Sequence, residues 1–278
     1  MKKREFFCLF FAAYTFSAVA VLTDEAPVGK QSKVFPLQDG SSLRVDVLAK
    51  NLFRVRRSAN GIWTESGMNR YGFFNTNYTP IAFSCEKGVL KTSDAELSVN
   101  TQDGTLSLQS GTAHVPITPA IKDKGFDIRF GLAKGERIYG LGDASRKNIQ
   151  RRGSAYDIWI ANVTCYIPVP VTLSRAGWGV LLNSTWRHHW DVGMTDPDAM
   201  VCSAPEGTVD FYLFTGTDYP ALLNTYTELT GRPALLPVWG YGFTFVCNQW
   251  IDQFSLINDA LRFREYKMPC DVIGLEPG

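Results

Sequence analysis

The sequence predicts a mainly β chain: a two-sheet sandwich, then a strand, a helix and a second, parallel strand. Three observations predict it. Short runs that alternate apolar and polar residues extend from about residue 34 to Tyr212. Tight-turn dipeptides punctuate them. Near Tyr219 the period lengthens to helical spacing, and two apolar runs follow, the first of them without a charge.

The elements follow in order. Residues 1–20 read as a secretory leader: Lys2, Lys3 and Arg4 precede the apolar stretch from Phe6 to Val19, and Ala18-Val19-Ala20 is a small-residue cleavage pattern. The alternative is an uncleaved anchor, since the uncharged stretch from Phe6 to Leu22 approaches the roughly 17 residues of a minimal span. The leader implies a secreted or periplasmic protein, the anchor a membrane-held one. No later stretch is long and apolar enough to span. Residues 21–33 are polar and read as a linker.

Residues 34–232 form the expected sandwich. Leu43, Val45 and Val47 alternate with polar residues, as do Leu97 with Val99 and Leu106 with Leu108. Turns are marked by Asp39-Gly40, Asn60-Gly61, Lys87-Gly88 and Asp103-Gly104. Phe126 to Phe130, Val169 to Leu173, Trp178 to Leu182 and Val209 to Phe214 continue the pattern. Many short strands joined by tight turns argue for two packed sheets. Tyr219, Leu222, Leu223 and Tyr226 then fall on a helix, capped by Asp218, started by Pro220 and stopped by Gly231 and Pro233. In residues 233–278, Trp239 to Val246 and Met268 to Leu275 read as parallel strands buried on both faces. Between them Phe254, Ile257 and Leu261 share one helix face, with Asp252 as the cap.

Composition narrows the function. The formal net charge of +1 comes without a basic stripe, which argues against a nucleic-acid partner. Beyond the leader the cysteines are Cys85, Cys165, Cys202, Cys247 and Cys270. They contain no Cys-x-x-Cys, which argues against zinc. Export would permit one or two disulfides, without fixing their pairing. Sequons occur at Asn77, Asn162 and Asn183. His188-His189 cannot chelate one metal ion together, because neighbours on a strand point to opposite faces. They are expected in a solvent-facing hairpin. Gly140-Leu-Gly142 before Asp143 lacks the spacing and the lysine of a phosphate loop and reads as a turn. No cofactor is called for.

Several ordered segments resemble one family. They are Tyr139-Gly-Leu-Gly-Asp, Arg152-Gly, Tyr226-Thr-Glu-Leu-Thr-Gly-Arg-Pro, Leu236-Pro-Val-Trp-Gly-Tyr-Gly-Phe, Phe263-Arg-Glu and Pro269-Cys-Asp-Val-Ile-Gly-Leu. Together they resemble glycoside hydrolase family 31, which includes α-glucosidases and α-xylosidases. The resemblance implies a galactose-mutarotase-like N-terminal β-sandwich and then the first strand, helix and strand of a catalytic (β/α)8 barrel. A complete barrel needs about 250 residues, so the chain reads as truncated. The resemblance also implies a retaining mechanism in which two aspartates on later strands flank the scissile bond. Both would fall beyond Gly278, and no catalytic residue is assigned here.

Four residues are candidates for substrate binding. Glu276 stands at the C-terminal end of the second barrel strand, where barrel sites are built. The family usually has an aspartate there that contacts the sugar. The longer glutamate puts glucose preference in doubt; its alternative is the start of a Pro-Gly turn. Trp250 falls in the first strand-to-helix loop, where family members place a pocket-lining aromatic. It would alternatively cover the barrel mouth or the sandwich junction. Trp159-Ile-Ala-Asn162 resembles the sandwich loop that sends an aspartate beside the leaving-group sugar, with Asn162 in its place. Asn162 is alternatively a turn residue or glycan acceptor. The implied partner is an oligosaccharide or glycoside substrate. The rival reading is a non-catalytic sandwich that binds carbohydrate or a partner chain.

Overall fold

The computed structural model describes residues 31–145, 147–160, 167–247 and 251–275. The leader lies outside them. The chain divides into two compact units between Gly231 and Arg232.

In the first unit, two antiparallel sheets form a sandwich. The seven-stranded sheet runs β1 (Ser32–Pro36), β2 (Ser42–Ala49), β3 (Leu52–Ser58), β16 (Val209–Thr215), β13 (Trp178–Leu182), β12 (Val171–Ser174), β10 (Ile138–Gly140). The nine-stranded sheet runs β11 (Ser154–Ile158), β14 (His188–Val192), β15 (Ala199–Ala204), β9 (Phe126–Gly131), β8 (Ala113–Ile121), β7 (Leu106–Ser110), β6 (Glu96–Val99), β5 (Val89–Lys91), β4 (Ser84–Glu86). β1 begins at Ser32, so Ser32 and Lys33 belong to a strand and not to the expected linker.

The two-residue period sets the inward face. Val45, Phe53, Val55, Phe211 and Leu213 of one sheet pack with Leu97, Leu108, Ile128, Phe130 and Trp190 of the other. Phe130 bridges the layers, its ring 5.7 Å from Phe211 and 5.9 Å from Trp178. At one end Arg57 bonds Asp39, Ser41 and the Pro119 carbonyl, closing the gap between the sheets.

The outer face of the seven-stranded sheet is also buried. A four-residue helix, α1 (Gly67–Arg70), is capped by the Ser66 hydroxyl. α2 (Tyr219–Thr230) starts at Asp218, whose carboxylate accepts the Ala221 N–H at 2.8 Å, a cap worth about 1 kcal/mol. α2 buries Leu222, Thr225 and Leu229 against Leu52, Leu181 and Phe214. Leu223, expected on that face, is exposed, because the inward stripe is set by Leu222 and its neighbours three and seven residues on.

The second unit holds β17 (Thr244–Cys247), α3 (Gln253–Glu265) and β18 (Val272–Leu275), with β17 and β18 parallel as expected. Asp252 caps α3 by accepting the Ser255 N–H at 2.8 Å. Two expectations are corrected. The first half of the Trp239–Val246 run is a 3-10 turn, Val238–Tyr241, and only its end is strand. The strands are not buried on both faces: β18 has no buried residue and Cys247 is the one buried residue of β17. Phe263 packs against Phe243 and Phe245, which leaves Phe254, Ile257 and Leu261 exposed on the rest of α3. No described helix is long and apolar enough to cross a membrane.

Candidate functional site

Trp159 follows directly on β11, and its side chain is half exposed. Asn162, Trp250 and Glu276, the other three candidates, lie outside the described residues.

β11 pairs with β14, which sets Asp157 opposite His189 and Ile158 opposite His188. The Asp157 carboxylate meets His189 Nδ1 at 2.9 Å and accepts from the Arg187 guanidinium at 2.7 Å. Bonds from His189 and then Arg187 hold its carboxyl below the usual value of 3.8. All three side chains are about half exposed, so the cluster is worth little to stability. A polar cluster two residues from an exposed indole has the chemistry of a polyol contact: a flat apolar face beside donors and acceptors.

His188 and His189 do point to opposite faces, and the expected solvent-facing position in a hairpin holds for His189 but not for His188. His188 is buried, and its Nδ1 lies 2.7 Å from the Trp186 carbonyl. Burial lowers its pKa, so the imidazole stays neutral.

The stretch between β10 and β11 is held by one arginine. Arg151 is buried, and among the described residues its guanidinium donates to main-chain carbonyls: Gly140 at 2.8 Å, Gly142 at 2.9 Å, Ser145 at 3.0 Å and Asn148 at 2.7 Å. Its charge also sits 5.2 Å from the Tyr156 ring centre. Gly140, Leu141 and Gly142 all have positive φ. A Cβ on Gly142 would sit 1.9 Å from the Ile167 carbonyl oxygen, so no other residue fits that approach. Asp143 then accepts the Ile167 N–H at 2.8 Å, while its own N–H reaches the Ile167 carbonyl. The turn expected at Gly140–Asp143 is thus an anchor for the chain that returns at Ile167.

A buried ionic layer, not legible in the sequence, covers part of the outer face of the seven-stranded sheet. Asp46 accepts from Arg44 at 2.7 Å and Arg56 at 2.8 Å, and Glu65 from Arg56 and Arg54. Asp210 takes two bonds from Arg54, at 2.9 and 2.6 Å, and one from Asn183 at 2.7 Å. The layer borders a cavity of about 460 Å³. Its charges already pair with one another, which makes it a structural device. Asn183 is 3% exposed with its amide committed to Asp210 and Asn69, so this sequon cannot take a glycan. Burial opposes the Asp46 charge, but Arg56, Ser32 and Arg44 outweigh it and hold its pKa below 3.8. A lowered carboxylate pKa stabilises the fold above the unfolded value and loses that contribution as pH falls through the folded one. Acid unfolding is therefore expected to set in below about pH 4; circular dichroism of an acid titration would show it.

Cys85, Cys202, Cys247 and Cys270 are free thiols, so no disulfide links them. Among the described residues no group of three or more His, Cys, Asp or Glu side chains could hold a metal ion.

Comparison with known proteins gives this geometry its context. The chain is 25% identical over 240 residues to an isomaltosyltransferase of Sporosarcina globispora, covering 79% of this chain and 22% of that protein. It is 25% identical over 213 residues to an α-xylosidase of Saccharolobus solfataricus, covering 73% and 29%. The chain thus spans less than a third of these relatives. Among solved structures, the Flavobacterium johnsoniae GH31 dextranase superposes with a TM-score of 0.76 at 22% identity, over 87% of this chain and 32% of that one. The model of the glycosyl hydrolase 31 N-terminal galactose mutarotase-like domain matches residues 42–191, more than half of the chain. The chain therefore belongs to glycoside hydrolase family 31, with the sandwich as its N-terminal mutarotase-like domain.

Proposed function

We propose that the full-length protein is an exported α-glycosidase that hydrolyses terminal α-linked sugars with retention of configuration. The observation that carries this reading is the family match across the sandwich, joined to relatives named as α-xylosidase and α-glucosidase. The parallel pair β17 and β18 around α3 supports it, because a (β/α)8 barrel opens in that way. In this reading two aspartates outside the chain carry the chemistry. Glu276 and Trp250 contact the sugar from the barrel, and Trp159 and Asn162 contact it from the sandwich. The leader, residues 1–20, carries the protein out of the cytoplasm.

The test is turnover of p-nitrophenyl α-glucoside, α-xyloside and α-galactoside by the full-length protein. Release of nitrophenol from at least one supports the reading; glycan binding without turnover of any of the three would replace it with a non-catalytic sandwich. On the best substrate, Trp159→Ala is expected to raise KM about tenfold, as the loss of one stacked aromatic contact. Because Trp159 is half exposed, the melting temperature should stay within about 2 °C of the parent.

A further inference from the structure

We propose that the sandwich binds a neutral glycan chain at a second site, a cleft at one end of the sandwich. The cleft lies between the exit of β3, the β8–β9 turn and the β15–β16 turn, and encloses about 280 Å³. That is close to the roughly 300 Å³ at which small-molecule sites begin. Strand pairing brings the three segments together: Arg57 stands opposite Val209, and Phe126 opposite both Ile121 and Ala204. The bond from Arg57 to the Pro119 carbonyl ties the two sheets there. Two indoles border the cleft. Trp63 lines it at 8% exposure, with the Arg56 guanidinium 5.8 Å from its ring centre. Trp186, from the β13–β14 connection, is half exposed and lies against Gly207, which also lines the cleft. A Cβ on Gly207 would sit 2.8 Å from the Trp186 Cδ1, and the φ of 106° there is one that glycine adopts without strain.

The charges decide the ligand class. Arg56 pairs with Asp46 and Glu65, Arg57 with Asp39, and Lys122 with Asp127. Of the lining charges that leaves Lys124 and Asp123, which are opposite in sign and adjacent in the chain. A phosphate or a carboxylate would therefore meet no net positive charge to hold it. A neutral polyol meets what it needs. The indole of Trp186 and the exposed side chains of Ile62 and Ile121 suit the C–H faces of a pyranose ring. Donors and acceptors stand beside them: the side chains of Thr64, Thr208 and Lys124 have no partner among the described residues. Asn60 is oriented by its Oδ1, which accepts from the Ser58 hydroxyl and the Ile62 N–H, and its amide donors face no described acceptor. An apolar surface with a few placed polar groups is the usual make-up of such a site. The inference goes beyond the reading above and uses none of the four sugar contacts named there.

The experiment is affinity electrophoresis of the full-length protein through gels that contain dextran, soluble starch or xyloglucan, three neutral polysaccharides. The parent is expected to be retarded by at least one of them. Trp186→Ala should raise the dissociation constant from that polysaccharide about tenfold, as the loss of one stacked aromatic contact. Thr64→Ala combined with Thr208→Ala is the second variant, with an expected rise of about fivefold. It carries the test should Trp186→Ala not fold. On the best nitrophenyl glycoside, which carries a single sugar, kcat/KM of both variants should stay within about twofold of the parent. Retardation of the parent by none of the three polysaccharides, or equal retardation of the parent and the folded variants, would overturn the proposal. A loss on the nitrophenyl glycoside as large as the loss of retardation would place Trp186 at the cleaved sugar and overturn a second site. Retardation that depends on Trp186, without hydrolysis of any nitrophenyl glycoside, would keep this site and remove the enzyme reading.

Discussion

Asp210→Ala is expected to destabilise the sandwich by about 3–5 kcal/mol. Asp210 is 2% exposed and takes two bonds from the Arg54 guanidinium and one from the Asn183 amide. Burial works against the Arg54 charge, and the Asp210 carboxylate more than offsets that, driving the Arg54 pKa up. Arg54 cannot escape by losing its proton. Without Asp210 its hydrogen bonds among the described residues are those to Glu65 and Asn69, at 3.0 to 3.4 Å, beside the Tyr212 ring 5.5 Å away. Urea unfolding should show a lowered midpoint with an unchanged slope. Asp157→Ala makes the contrast: its bonds to Arg187 and His189 are as short, but the side chain is half exposed, and the expected cost is under about 1 kcal/mol. Equal costs for the two would show that burial does not govern these pairs.

Trp178→Ala is expected to cost about 3–5 kcal/mol, through loss of a fully buried aromatic and the cavity it leaves. Trp178 opens β13 at 1% exposure and stacks on Phe130, the residue that bridges the two sheets. Its indole N–H also donates to Glu136 at 2.7 Å. That carboxylate is 9% exposed and otherwise bonded by the Ser174 hydroxyl and the Ala133 N–H. Trp178→Phe would keep most of the packing but remove the donor, so its expected cost is about 1–3 kcal/mol. Thermal unfolding of the two variants separates cavity from hydrogen bond. A Phe variant as damaged as the Ala variant would put the weight on the Glu136 bond.

The parts of the fold that depend on local period were legible. Trp178 to Leu182 is a strand with the bounds its sequence suggests, and Asp218 and Asp252 cap α2 and α3 as their positions imply. Period alone states which residues share a face and not what covers that face. Arg44, Asp46, Arg54 and Arg56 alternate with Val45 and Val55 in a pattern that ordinarily puts charges in water. They are buried because α1 and the segment around Glu65 and Phe74 return over the sheet. The exposure of β17 and β18 has the same origin: apolar runs suggest burial, and within their own unit little packs on them.

The candidate site was legible only where a residue type is itself informative. Trp159 stood out as an aromatic near a family motif. Asp157, His189 and Arg187 did not, since their meeting depends on a strand register spanning 32 residues of sequence. Arg151 was equally hidden, because its partners are carbonyls that every residue carries. The nearest signal was the cluster of glycines at 140 and 142, whose backbone freedom the Arg151 bonds then fix.

The proposal that the full-length protein is a retaining α-glycosidase can be tested on its first product. The most direct test follows the proton NMR spectrum of the released sugar as the full-length protein hydrolyses the best of the nitrophenyl α-glycosides. The α-anomer is expected to appear first and the β-anomer only later, by mutarotation. A β-anomer as first product would contradict the retaining mechanism, and no hydrolysis of any of the three substrates would contradict the enzyme reading itself.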